Sequence, residues 1–116
     1  MKFRIVKKKD MTAEEFIRSL PTRIDPEIIE KKKSTFYFDL SGEGGGQLCL
    51  ILNNGEVEVL EGPQEYHNCE VRADAGDFMR VVRGELNPMM ALLTGRLKVN
   101  NQKELLKYAK IFGLTR

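Results

Sequence analysis

The sequence predicts one α+β domain, a mainly antiparallel sheet of five strands with helices over one face. Three observations predict it. The 116 residues suit a single domain. Apolar residues alternate with period two through most of residues 34–73, whereas helical patterns precede and follow that stretch, with one late strand between the last two helices. The composition, 41% hydrophobic and 31% charged, is ordinary for a globular protein.

Two short helices are expected before the first strand. Thr12 and Glu15 form a capping box that begins the first helix, which we expect to end before Pro21. A second helix is predicted over Asp25–Lys33, with Pro26 at its first position, where a missing N–H costs nothing.

The first predicted strand is Ser34–Ser41, whose apolar residues alternate with polar ones. The Gly-rich run Gly42–Gly46 lacks the third glycine and the following helix of a dinucleotide-type phosphate loop. We therefore expect a flexible hairpin loop there.

Asn54-Gly55 predicts a two-residue type I′ turn, because both positions need positive φ. Counting outward pairs Asn53 with Glu56 and Cys49 with Leu60. One face of this hairpin should be core, and the face with Cys49, Ile51 and Leu60 should be partly solvated or an interface. A fourth strand is predicted over His67–Ala73.

The last third should form three helices and one strand. Asp74 caps a helix that stops at Gly84, and Asn87-Pro88 begins a helix that Gly95 ends. A strand over Arg96–Asn100 and a helix from Asn101 to Gly113 complete the chain. The run Met89–Leu93 makes the middle helix apolar on every side. Either the neighbouring helices cover it or it lines a cavity, which flexible methionines suit.

The charge is unevenly distributed. Residues 34–71 contain seven acids and no Lys or Arg, whereas residues 1–33 and 72–116 sum to +4 and +5. An acidic middle argues against nucleic-acid binding. The runs Lys7–Lys9 and Lys31–Lys33 are typical of solvated faces, with transient contact to anionic lipid headgroups as the alternative. With no apolar stretch long enough for a membrane span or a secretory signal, we expect a cytoplasmic protein.

Residues suited to catalysis are sparse. On a strand, His67 and Cys69 would lie about 7 Å apart, too far for the roughly 3 Å contact that activates a nucleophile. One His and two Cys fall short of a zinc site, and no cofactor motif is found. We therefore expect no enzyme and no cofactor. A small hydrolase using His67 or the glutamates Glu56 and Glu58 is a third, less favoured hypothesis.

The segment "FMRVVRGELNPMMALLTGRLKV", residues 78–99, resembles the sterol carrier protein 2 (SCP-2) family of lipid carriers. The similarity lies in a helix ended by Gly84, the Asn87-Pro88 helix start, and Gly95-Arg96-Leu97-Lys98 before the last strand. It extends over roughly residues 12–113, with Asn100-Asn101 as a departure where the family often has Gly-Asp. The C-terminal Leu114-Thr115-Arg116 also departs from a peroxisomal signal.

The resemblance implies strand order 3-2-1-4-5 and an apolar tunnel between sheet and helices. It implies non-catalytic binding and carriage of a fatty acid, acyl-CoA or sterol-like lipid. The expected lining residues are Phe78, Val82, Met89, Met90, Leu93, Leu105, Tyr108 and Phe112. The alternative is an interaction or regulatory module that forms a homodimer or docks through the apolar pocket or the sheet face.

Overall fold

A computed structural model describes residues 10–114. Within that range the chain forms four helices and one five-stranded sheet. The strands are β1 (Lys33–Ser41), β2 (Gly46–Asn53), β3 (Glu56–Glu61), β4 (Cys69–Asp74) and β5 (Leu97–Val99). The helices are α1 (Ala13–Arg23), α2 (Ala75–Val82), α3 (Pro88–Leu93) and α4 (Gln102–Tyr108). None of these helices is long and apolar enough to cross a membrane.

The sheet has the order β3-β2-β1-β4-β5, so the predicted fold class and strand order are confirmed. All neighbouring strands are antiparallel except β1 and β4, which run parallel. Because β4 lies on the far side of β1 from β3, the chain must cross the sheet between them. Residues 62–68 make that crossing.

This crossing segment buries part of the sheet face that the sequence predicts to be solvated or an interface. The Asn68 backbone N–H donates to Thr35 O at 2.8 Å, and the His67 ring lies 5.6 Å from that of Tyr37. Tyr37 and Cys49 are therefore buried although they face away from the helices. Only Ile51 and Leu60 of that predicted surface stay partly exposed.

The β2–β3 hairpin has the predicted register. Asn53 pairs with Glu56 and Cys49 with Leu60. Asn54 and Gly55 both have positive φ, 49° and 93°, as a type I′ turn requires. The local turn therefore determines which hairpin residues face the core.

The predicted helix over Asp25–Lys33 is wrong, since that segment forms successive turns. Its carbonyl groups are used elsewhere: Ile29 O accepts from the Gly55 N–H at 3.0 Å, and Lys32 O from Asn54 at 2.9 Å. Lys33 already belongs to β1. Tertiary hydrogen bonds to the hairpin thus outweigh the local helix signal.

Several boundaries also differ from the prediction. Helix α4 ends at Tyr108 and is followed by turns, whereas the prediction extends it to Gly113, and β5 covers Leu97–Val99 instead of Arg96–Asn100. Helix α1 continues through Pro21 to Arg23, and the buried Ile24 donates its N–H to Leu20 O at 2.9 Å. Burial of Ile24 offsets the hydrogen bond that proline cannot make. Strand β4 begins at Cys69, two residues after the predicted start at His67. The predictions for Lys7–Lys9 lie outside the described residues.

Candidate functional site

The space between sheet and helices is occupied by a connected row of aromatic rings. Phe36 on β1 meets Tyr108 and Phe112 edge to face, with centroids 5.4 Å and 4.9 Å apart. Phe38, also on β1, meets Phe78 of α2 at 5.8 Å. These spacings are those of packed aromatic pairs, so the rings stabilise the interior through direct contact.

The interior is otherwise aliphatic. Among the described residues the one buried polar side chain is Ser34, whose hydroxyl donates to Glu104 Oε2 at 2.8 Å. Apart from Ser34, a ligand tail placed there would meet apolar side chains. It would first have to displace the aromatic rings, because they lie in mutual contact.

The predicted lining residues separate into two groups. Five are buried in the core within 4% exposure: Phe78, Val82, Leu105, Tyr108 and Phe112. The other three, Met89, Met90 and Leu93, lie on α3 with exposures of 50%, 52% and 77%. The structure therefore brings the first group together and leaves the second on the surface.

Helix α3 is built by strong local signals. The Asn87 side chain caps it by accepting the N–H groups of Met89 at 2.8 Å and Met90 at 3.3 Å, and Pro88 occupies the first turn. Its inner side packs beside β5, where Ala91 is fully buried. The outer side of α3 has no covering element among the described residues.

Tyr108 marks a place where the interior approaches the surface. Its ring is buried, yet the Nζ atoms of Lys32 and Lys107 lie 5.9 Å and 5.6 Å from the ring centroid. Burial raises the pKa of the Tyr108 hydroxyl, with a smaller contribution from Glu104. The ammonium groups of Lys32 and Lys107 thus lie within about 6 Å of a ring that belongs to the apolar interior.

The structure separates His67 from Cys69. Cys69 faces the core, where its Sγ donates to Asn101 O at 3.4 Å, and burial raises its pKa to about 11. His67 lies on the other face of the sheet beside Tyr37. A thiol whose pKa is raised by burial is a poor nucleophile. The described residues also contain no group of three or more His, Cys, Asp and Glu arranged to hold a metal ion.

A polar groove of about 480 Å³ lies at the end of the sheet near β4 and β5. Its charges are largely paired: Arg72 lies 3.6 Å from Asp39, and Arg96 lies 3.1 Å from Asp77. This groove does not correspond to the apolar tunnel that the resemblance implies.

The fold and this apolar interior correspond to a known family. The chain belongs to the SCP-2 sterol transfer family, whose model matches residues 13–112. The resemblance noted from residues 78–99 is thus confirmed across most of the chain.

Related proteins extend this picture. The chain is 31% identical over 102 residues to hydroxysteroid dehydrogenase-like protein 2 of Xenopus tropicalis, covering 86% of this chain and 24% of that protein. It therefore spans about a quarter of the length of the curated relatives it matches. The solution structure of sterol carrier protein domain 2 of Helicoverpa armigera has a TM-score of 0.73 at 17% identity, covering 98% of both chains.

A third similar protein was solved with a lipid. The palmitated SCP2L2 structure from Aedes aegypti has a TM-score of 0.65 at 21% identity, covering 88% of this chain and 95% of that one. At such identities the two structures support the shared fold and no more.

Proposed function

We propose that this domain binds a lipid with a long apolar tail and carries it without covalent chemistry. The tail lies between the sheet and the late helices, against the eight residues predicted above: Phe78, Val82, Met89, Met90, Leu93, Leu105, Tyr108 and Phe112. Family membership and the predominantly apolar interior support this proposal.

The observation that carries the proposal is the exposure of Met89, Met90 and Leu93 beside that interior. Helix α3 has six residues and buries one of them fully, Ala91, so moving it costs little packing. When α3 moves, its unbranched methionines can turn inward and adapt to a tail. Each Å² of apolar tail surface removed from water contributes roughly 25 cal/mol to the free energy of binding. This contribution favours the state in which α3 has moved and the lipid is bound.

The cations beside Tyr108 suit one lipid class in particular. The ammonium groups of Lys32 and Lys107 would attract the carboxylate of a fatty acid whose tail passes Tyr108. We therefore expect a fatty acid to bind more tightly than its methyl ester, and Lys107→Gln to reduce that difference.

The test is a titration of delipidated protein with a fluorescent fatty acid, paired with native mass spectrometry of the protein as purified. Saturable binding at one molecule per chain is expected. Leu93→Gln should weaken it about tenfold, since a polar group replaces apolar contact. Tyr66→Gln is the matched control, because Tyr66 is 70% exposed but lies on the crossing segment of the opposite face. If no lipid copurifies and no saturable binding is seen, the proposal is wrong.

The second candidate is an interaction module in which a second copy or another protein covers α3. The same three exposed side chains favour it. Size-exclusion chromatography with light scattering separates the two: a tight dimer that takes up no fatty acid supports the interaction module, whereas a monomer with saturable uptake supports carriage.

A further inference from the structure

The outer surfaces of α3 and α4 combine apolar and basic side chains. On α4 and the turn after it, Lys103, Leu106, Lys107 and Lys110 follow the i, i+3, i+4, i+7 spacing of one helix face, and all four are exposed. The opposite side of α4 carries Leu105, which is buried in the core. Ala91 of α3 lies in that same core, so α3 and α4 each turn one side to the core and expose the other.

The part of the chain that forms α3 and α4 carries little negative charge to balance these lysines. Between residues 88 and 114 the one acidic residue is Glu104, which is half-buried and accepts from Ser34. Among the described residues, Lys103, Lys107 and Lys110 form no ion pair within 4 Å. The lysines are therefore available to an external anion, and α3 separately exposes Met89, Met90 and Leu93.

The segment 25–33 offers an informative contrast. It also exposes an apolar side chain, Ile28, next to the lysine run 31–33. However, Asp25, Glu27 and Glu30 bring its net charge to zero. Charge complementarity with an anionic partner thus favours the α3–α4 surface over the lysine run that the sequence singles out.

We infer that the α3–α4 surface, formed by Met89, Met90, Leu93, Lys103, Leu106, Lys107 and Lys110, docks onto anionic lipid bilayers. The apolar side chains enter the boundary between headgroups and acyl chains, and the lysines meet the headgroups. A bilayer fits better than a folded protein because the exposed lysines of α4 and the turn after it give charge of one sign beside exposed apolar side chains. This inference rests on the proposed function and names the surface through which the lipid is collected.

The experiment measures sedimentation of the full chain with vesicles of phosphatidylcholine alone, or mixed three to one with phosphatidylserine. Binding to the mixed vesicles alone, weakened by salt, is expected. Lys103→Gln with Lys110→Gln should lower that binding roughly 30-fold, since each lysine contributes about fivefold. The matched control, Lys31→Gln with Lys33→Gln, should change it less than threefold.

Fatty-acid titration without vesicles separates this inference from the proposed function. The Lys103/Lys110 variant should keep the affinity of the unaltered chain, because neither lysine belongs to the proposed lipid site. If fatty-acid binding is absent while vesicle binding behaves as expected, the proposed function fails and the docking surface stands. If the Lys103/Lys110 variant binds the vesicles unchanged, or the control pair loses as much, the docking surface is overturned.

A second readout does not depend on these variants. The chain has no tryptophan, so Leu93→Trp introduces a single reporter. Its emission should shift to the blue with mixed vesicles and be quenched by brominated acyl chains, whereas Tyr66→Trp on the opposite face should show neither change. Quenching of Tyr66→Trp without quenching of Leu93→Trp would overturn the inference.

Discussion

The helices α2 and α3 follow one another in the chain and have similar apolar content, but they differ in burial. Helix α2 buries Phe78, Met79, Val81 and Val82, whereas three of the four large apolar residues of α3, namely Met89, Met90 and Leu93, are half or more exposed. The cause is position. Helix α2 contacts β1 and β4 near the centre of the sheet, and α3 contacts the three-residue edge strand β5.

The comparison teaches that apolar sequence alone does not make a core. The first region, formed by α1, α2 and the central strands, buries its rings, partly against Tyr108 of α4 and Phe112. In the second region, α3 through α4, helix α3 lies beside the three-residue edge strand β5 and leaves Met89, Met90 and Leu93 exposed. The first region is therefore expected to contribute most of the stability, whereas the exposed side chains of α3 contribute little to it.

The largest expected difference concerns core truncation. Phe38→Ala removes a ring that contacts Phe36, Phe78 and Phe112, and should lower the free energy of unfolding by about 3–5 kcal/mol. Leu93→Ala should change it by less than about 0.5 kcal/mol, because its side chain is mostly in water. Urea unfolding followed by circular dichroism measures both. Equal losses would show that α3 is part of the stabilising core.

The next prediction concerns alkaline stability. Burial raises the pKa of Cys69 from 9.0 to about 11. Because the folded-state pKa is the higher one, the stability linked to this thiol is intact below pH 9.0 and is lost as pH rises toward about 11. Between those values the unaltered chain should lose more stability than Cys69→Ala. Urea unfolding of both at each pH tests this, and parallel losses would contradict it.

A smaller effect distinguishes the two helix caps. Asp74 accepts from the Asp77 N–H at 3.1 Å, and Asn87 caps α3 in the same way. Each alanine substitution should cost about 1 kcal/mol of helix stability. For Asp74→Ala the loss should appear in global unfolding, whereas Asn87→Ala should mainly speed hydrogen exchange within α3. If Asn87→Ala lowers the free energy of global unfolding by the full amount of about 1 kcal/mol, α3 unfolds only together with the whole domain.

The smallest effects are expected at surface ion pairs. Arg18 joins α1 to Glu61 of β3 at 2.7 Å, and Arg96 joins the segment before β5 to Asp77 at 3.1 Å. Arg18→Gln and Arg96→Gln should each cost less than about 1 kcal/mol, since the pairs are solvated. Thermal unfolding in low and high salt measures the stability lost in each variant, and this stability loss should be smaller in high salt. A larger, salt-independent loss from Arg96→Gln would show that α2 holds the second region more firmly than its exposure indicates.

Local signals predicted several elements well. The Asn54-Gly55 turn determined the hairpin register, and Asp74 and Asn87-Pro88 placed the starts of α2 and α3. The Asp25–Lys33 helix was wrong because Ile29 and Lys32 bond to the hairpin turn, a contact between segments far apart in sequence. Of the candidate site, the apolar character of residues 89–93 was evident, but their exposure was not.

The sequence by itself determined where chain reversals and helix starts occur, because turns and caps depend on side chains within a few residues. It also determined membership of the SCP-2 family, through the succession of a helix ended by Gly84, the Asn87-Pro88 helix start and the Gly95–Lys98 segment. Only the tertiary structure decided that residues 62–68 bury Tyr37 and Cys49, and that Met89, Met90 and Leu93 face outward. Burial depends on which elements lie opposite each other, and a linear pattern of apolar residues does not contain that information.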